Sequence, residues 1–424
     1  MQSDGKHPLK GDILSIRKNE ENNFMDSLKL KDNLYWVGIE DFDMRVFDII
    51  MTTEYGSNFN SYILKGSEHT ALFETEKTKF FEDYLREIEQ VTPVSAIDYI
   101  IMNHTEPDHA DGIGELLKLN PEITVVGTAA AINNLKQIMN REDFSFHVVK
   151  NLETLSLGDI TLEFHLLPNL HWPDTMWTYA KEIKTLFPCD SFGSHFATKE
   201  VLRSLVSDEE GYWKATKYYF DCILGPFRRP FVVNGLKRLE TLDVDMICTG
   251  HGPVLDSHID EIVAKYNEWC TPAEKTVRNV VIPYVSAYGY TGILAQALAA
   301  GLKEAGVKAE LYDMVEEKDS EKVLAAITEA DGLMVGSPTI VGEALPPVAN
   351  LLNGLHAALE KGKPAMAFGS FGWSGEAVPN LTARLTQLKY NVQEGLRVKF
   401  KPSEADIEAA KERGKQFAEL VKAR

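Results

Sequence analysis

His104-Thr105-Glu106-Pro107-Asp108-His109 sets four potential metal ligands within six residues. The stretch follows an apolar run over 97–102 that reads as a buried strand. Buried imidazoles and carboxylates cost free energy unless they are paired or bound to metal. A mixed nitrogen and oxygen set this dense suits two transition metals. The plainer alternative is a solvated polar turn at a strand end.

Three further segments offer ligands. Leu170-His171-Trp172-Pro173-Asp174 follows a predicted strand ending near Leu167. Pro188-Cys189-Asp190 ends a predicted strand over 185–188, and Thr249-Gly250-His251-Gly252-Pro253 follows the apolar run 246–248. Each places a His or an Asp at a strand's carboxyl end, where open α/β folds gather functional groups. The glycines around His251 allow close backbone approach. One histidine after a strand is more often a capped or hydrogen-bonded residue. Four such segments in this order make a strong signal for a metal centre.

The chain has 424 residues, 44% of them hydrophobic, and two domains are the natural expectation. A formal net charge of −19 argues against nucleic acid or an anionic membrane as partner. No apolar stretch approaches the ~20 residues that span a bilayer. The polar N-terminal residues lack the apolar core of a secretory signal and read as an extension over 1–27. Cys189, Cys222, Cys248 and Cys270 form no C-x-x-C pair. That fits a reduced cytoplasm, with no disulfide framework and no thiolate zinc site.

The two halves read differently. Over 28–269 short strands (34–40, 61–65, 69–73, 123–127, 160–167) mix with helices at 78–90, 112–119 and 129–139, a layered α/β pattern. Over 277–424 the pattern is regular. Strands at 279–285, 308–313, 332–336 and 365–370 alternate with helices at 293–305, 320–329, 346–358 and 377–389, and a helix over 404–422 closes the chain. This alternation predicts a parallel, doubly wound sheet. The boundary falls near 267–276, where Trp269-Cys270-Thr271-Pro272 interrupts the periodicity.

The order H-x-E-x-D-H, then His, then Asp, then G-H-G resembles the metallo-β-lactamase fold, whose hydrolases usually read H-x-H-x-D-H. Here Glu106 stands where the middle His is expected. An anionic oxygen ligand favours iron or manganese over zinc, relative to imidazole. With a flavodoxin-like half following, the chain resembles the flavodiiron proteins (A-type flavoproteins) over roughly 28–424. The resemblance implies a metallo-β-lactamase-like αββα sandwich followed by a flavodoxin-like doubly wound parallel sheet. It implies that His104, Glu106 and His171 hold one iron, that Asp108, His109 and His251 hold the other, and that Asp190 bridges them. His109 is the ligand some members leave uncoordinated. No catalytic side chain is implied beyond these ligands. His195, in Asp-Ser-Phe-Gly-Ser-His, reads as a supporting or structural residue. Trp172 and Trp177 read first as core aromatics, and Tyr218 or Tyr219 as a hydroxyl near the metals.

In the second half, Ser286-Ala287-Tyr288-Gly289-Tyr290-Thr291 follows a strand and opens a helix. Hydroxyls and backbone N–H groups at a helix N-terminus suit a phosphate monoester. The run is not G-x-G-x-x-G, so a dinucleotide is disfavoured. It resembles the phosphate loop of flavodoxins, which bind FMN, although Tyr288 and Tyr290 are bulkier than usual there. Ser337-Pro338-Thr339 ends the third strand and Ser370-Phe371-Gly372-Trp373 the fourth. In flavodoxin-like domains these loops flank the isoalloxazine.

The resemblance implies an oxidoreductase with FMN and two Fe ions as cofactors, reducing O2 to water or NO to N2O. It implies an external donor such as rubredoxin or coenzyme F420, and a head-to-tail homodimer or dimer of dimers. Two other readings compete: a dinuclear metal-dependent hydrolase fused to a flavodoxin-like domain, and an FMN carrier with an inert first half. Glu106 argues against the hydrolase, and the complete ligand set against the carrier.

Overall fold

The computed structural model describes residues 28–48, 51–271 and 276–424. The extension expected over 1–27 lies outside the described residues. The chain divides into two compact units, Met1–Thr271 and Pro272–Arg424.

The first unit is built on two mixed sheets. One has seven strands, running from Leu28–Lys31 to Phe146–Val148 with Leu34–Trp36, Tyr62–Lys65, Thr70–Phe73, Tyr99–Met102 and Thr124–Gly127 between. It changes from antiparallel to parallel pairing at Thr70–Phe73. The other has five strands, Thr154–Ser156, Thr161–Leu166, Met176–Ala180, Thr185–Cys189 and Met246–Thr249, with a parallel pair at its end. One apolar core lies between the sheets, where the Phe73 and Phe187 rings stack at 3.8 Å. A second core packs Phe81–Val91, Ile113–Leu119 and Ala129–Ile138 on the first sheet, and a third packs Val233–Leu239 and Ile259–Cys270 on the second. The layers are therefore αββα. Met176–Ala180 and Thr185–Cys189 are buried at every residue because both faces of their sheet are covered.

The second unit has a parallel sheet in the order Lys308–Asp313, Asn279–Tyr284, Gly332–Gly336, Pro364–Phe371, with Asn391–Val392 and Leu396–Lys399 both pairing the last of these. Tyr290–Glu304 and Glu404–Lys422 cover one face, and Ser320–Glu329, Pro346–Asn353 and Ala377–Gln387 the other. Helices on both faces make the sheet doubly wound. Ser403 and Asp406 close a capping box at the start of the last helix.

Some boundaries differ from the sequence expectation. The strand over 34–40 is two strands, Leu34–Trp36 and Ile39–Asp41. They break at Gly38, where a Cβ would meet Phe59 O at 2.2 Å. The helix over 346–358 is Pro346–Asn353 and Ala357–Glu360, parted at Gly354. The helix at 78–90 opens with a 3-10 turn, Thr78–Phe80.

Candidate metal centre and flavin cleft

Every candidate ligand lies at a strand's carboxyl end. Tyr99–Met102 leads into His104, and Glu106 caps the short helix Pro107–Ala110 that carries Asp108 and His109. Proline at the first helical position needs no hydrogen bond there and fixes the turn. Thr75 anchors it from the next strand, its N–H and hydroxyl both donating to His109 O at 2.7 and 2.9 Å. Asp190 directly follows Thr185–Cys189, and His251 follows Met246–Thr249. Gly250 lets His109 in: a Cβ there would stand 2.9 Å from His109 Cε1.

The structure brings all seven side chains together in two sets. His104, Glu106, His171 and Asp190 form one, and Asp108, His109 and His251 another. Asp190 faces both. Its Oδ2 lies 3.1 Å from His171 Nε2 and 3.6 Å from His104 Nε2. Its Oδ1 lies 3.2 Å from His109 Nε2 and 3.5 Å from His251 Nε2. Glu106 Oε2 stands 3.2 Å from His104 Nε2 and 3.3 Å from His171 Nε2. Asp108 Oδ2 stands 3.1 Å from His251 Nε2 and 3.7 Å from His109 Nε2. The imidazoles thus present Nε2 inward throughout.

Two of them are held in that orientation from behind. His104 Nδ1 meets Asp174 Oδ2 at 3.2 Å, and His251 Nδ1 meets Asn58 O at 3.0 Å. A proton kept on Nδ1 leaves the Nε2 lone pair free for a metal. Asp174 is itself fixed, its Oδ2 accepting from Thr105 N and Oγ1, both at 2.7 Å. Tyr219 donates to Asp190 Oδ1 at 2.9 Å, whereas Tyr218 is 40% exposed. His195 is buried with Nδ1 3.0 Å from Ser57 Oγ, and its ring tilts against His251 at 5.1 Å. Trp177 is core, donating to Ser191 Oγ, while Trp172 stands edge-on to His104 at 5.0 Å.

The electrostatics fit a metal pair. The ion-pair partners of Glu106, Asp108 and Asp190 are imidazoles among the described residues. Burial raises the Glu106 carboxyl, and the His104 and His171 hydrogen bonds overcome it, leaving about 2. Burial also opposes charge on Asp190, but His109 and His171 hold it well below the usual carboxylate range. His109 is pushed up to about 10: burial disfavours its charge, but Asp108 and Asp190 outweigh it. Both Asp108 carboxylate oxygens are buried without a well-directed hydrogen bond, although His251 Nε2 is near. Seven ionisable side chains brought together, most of them buried and with Asp108 lacking a directed hydrogen bond, are what cations placed between them would satisfy.

In the second unit a cleft of about 760 Å³ opens at the strand ends, within the range of ligand pockets. Of the candidate flavin residues, Tyr288, Tyr290, Pro338, Thr339, Ser370, Phe371, Gly372 and Trp373 line it. Ser286, Gly289, Thr291 and Ser337 do not, and three of their hydroxyls serve the loops themselves. Ser286 Oγ accepts from Gly292 N at 2.9 Å, Thr291 Oγ1 pairs with Ser370 Oγ at 3.0 Å, and Ser337 Oγ accepts from Leu345 N at 2.9 Å. Gly289, with φ of 82°, turns the chain into the helix. Val341 and Phe400, which the sequence reading passed over, complete the rim. Trp373 is 94% and Tyr288 80% exposed, so aromatic faces stand free at the cleft. A planar, mostly apolar ring system with a polar tail fits this lining.

Asp174 and Asn58 are supports that sequence reasoning did not assign, and between Tyr218 and Tyr219 it did not choose. Asp174 had a signal, lying three residues after His171 in a run already singled out. Asn58 acts through its carbonyl, which no side-chain pattern reveals.

Comparison with known proteins finds matches to both halves. Residues 57–252 match the model of the ODP family beta lactamases, and 282–414 that of flavodoxins. A flavo-diiron protein of Clostridium acetobutylicum is 40% identical over 94% of this chain and 100% of its own. The anaerobic nitric oxide reductase flavorubredoxin of Escherichia coli is 32% identical over 92% of this chain and 82% of its own. The solved rubredoxin oxygen:oxidoreductase of Desulfovibrio gigas is 29% identical, covers 94% of this chain and 99% of its own, and superposes with a TM-score of 0.72.

Proposed function

Since this chain belongs to the flavodiiron (type A flavoprotein) family, we propose that it is an oxidoreductase using FMN and two iron ions to reduce O2 to water or NO to N2O. When bound, FMN supplies electrons taken from an external donor, and the iron pair supplies the binding and reduction of the gas. The protein's own part is to hold, orient and exclude.

His104, Glu106 and His171 would hold one iron and Asp108, His109 and His251 the other, with Asp190, one oxygen toward each set, shared between them. Asp174 and Asn58 keep His104 and His251 in the tautomer that offers Nε2. Tyr219 keeps a hydroxyl proton at Asp190 Oδ1. Trp172 and Phe227, ringed around His104 and His171, form an apolar wall. On the second unit, Tyr288, Tyr290, Pro338, Thr339, Ser370, Phe371, Gly372 and Trp373 line the cleft that would hold FMN. Ser286, Gly289, Thr291 and Ser337 act on the cofactor through loop shape.

The observation that carries this reading is the division of Asp190, one oxygen toward each donor set. The test is turnover under anaerobic conditions with each gas in turn and one common donor. Consumption of at least one gas, dependent on iron and FMN, is expected; turnover without iron contradicts the reading.

The finer assignments follow. The donor is a rubredoxin or coenzyme F420, and the exposed aromatic rim of the cleft supports an encounter there. The assembly is a head-to-tail homodimer or a dimer of dimers. The free cysteines support a cytoplasmic setting, and no described helix is long and apolar enough to cross a membrane.

A further inference from the structure

Beyond the seven candidate ligands and their supports, one cation stands out near the centre. Lys77 follows the segment Glu74-Thr75-Glu76, whose threonine holds His109 in place. Glu74, Thr75 and Glu76 are all buried there, and Lys77 is half-buried. Its Nζ lies 4.7 Å from the Phe47 ring centre and 4.5 Å from the Phe59 ring centre. Those rings in turn pack edge-on against His251, at 5.7 and 5.3 Å. Phe47 also lies 4.5 Å from His195.

Lys77 forms no ion pair among the described residues. An ammonium seated between two aromatic faces keeps its charge while giving up part of its hydration. Three groups near the centre feel that charge: Glu76, His195, and Asp48, which is hydrogen-bonded to Glu106 of the other donor set. Each of the three also feels Asp108. Lys77 is therefore a cation held by two aromatic faces that pack on His251, in no ion pair among the described residues.

We propose that Lys77 makes the Asp108–His251 half of the centre an anion site, which holds small anions of the kind that reduction of a neutral diatomic gas produces. The inference rests on reading the pocket as a di-iron centre. Substrate gases carry no charge, and their reduced forms are anionic until protonated. A fixed cation beside the pocket favours the charged form over the neutral one. Lys77 acts through its field, as a positioning residue.

Azide, a monovalent anion of suitable size, is the probe. It is titrated into iron-loaded wild-type protein and into Lys77→Met and Lys77→Arg variants, following visible absorption. Met keeps the aliphatic stem between the two rings and removes the charge; Arg keeps the charge. At an effective dielectric of about 20 and a separation of about 12 Å across the intervening ring, loss of the charge weakens azide about tenfold. Lys77→Arg is expected to stay within about twofold of wild type. Binding of NO, which is neutral, to the reduced protein is expected to be unchanged in both. If the Met variant sheds iron, Lys77→Gln provides the same comparison. Equal azide affinity in wild type and the uncharged variant overturns the proposal, as does equal weakening in the uncharged and Arg variants. Wild-type protein that takes up no iron contradicts the di-iron reading itself.

Discussion

Asp190 decides more of the chemistry than any other residue, because its two oxygens face different donor sets. Replacing it with alanine removes a donor from both. Asp190→Ala and Glu106→Ala are expected to leave flavin reduction intact and abolish gas reduction, by at least about 100-fold. Normal turnover in either variant contradicts the ligand assignment. The same cluster sets a pH dependence for metal-stripped protein. Folded His109 titrates at about 10, against ~6.5 for an unfolded histidine. The folded chain holds the extra proton between these values, so this contribution is complete below ~6.5 and is lost as pH rises toward the folded value. Glu106 runs the other way: its contribution is present above ~4.3 and lost only as pH falls through about 2. The melting temperature of chelator-stripped protein is therefore expected to fall between pH ~6.5 and ~10, and that of iron-loaded protein to fall less, because metal replaces the protons. Parallel curves count against this. At this scale the ligands were legible because they cluster in sequence or follow apolar runs. Asn58 and Lys77 were not, because each acts from a segment whose position only the fold supplies.

Elements were legible where the burial period was clean. In the second unit Lys308–Asp313, Ser320–Glu329, Gly332–Gly336 and Glu404–Lys422 fall where periodicity put them. Between Glu209 and Leu239 the chain is aromatic-rich and runs through α, π and 3-10 turns. Irregular helical pitch carries no single period, so that stretch was unreadable. The hairpin of Thr339–Ile340 and Glu343–Ala344 was too short to register, yet it forms part of the cleft rim. One close helix crossing holds the second unit together. A Cβ on Gly301 would lie 1.9 Å from Lys411 O, and one on Gly414 2.3 Å from Leu298 O. Both glycines let Tyr290–Glu304 and Glu404–Lys422 approach backbone to backbone. Gly301→Ala is expected to destabilise this unit by about 1–3 kcal/mol. Flavin release on warming, followed by fluorescence, should then occur several degrees lower while iron content at room temperature is unchanged. An unshifted release temperature contradicts the crossing.

For the whole molecule, the net charge of −19 and the pairing of a metal centre with a flavin cleft define what the chain works with. The two halves were separable in the sequence because their periodicities differ. Their assembly was not legible, because an interface leaves no period of its own. The head-to-tail dimer proposed for this chain is expected to bury at least ~1,200 Å², and equilibrium sedimentation should find no monomer at micromolar concentration. A monomer with full turnover contradicts it. The most direct test of the account is an anomalous difference map collected at the iron edge. The account predicts two iron peaks, one in reach of His104, Glu106 and His171, the other of Asp108, His109 and His251, with an oxygen of Asp190 toward each. A pocket holding zinc instead, or holding nothing in protein grown with iron, would contradict it.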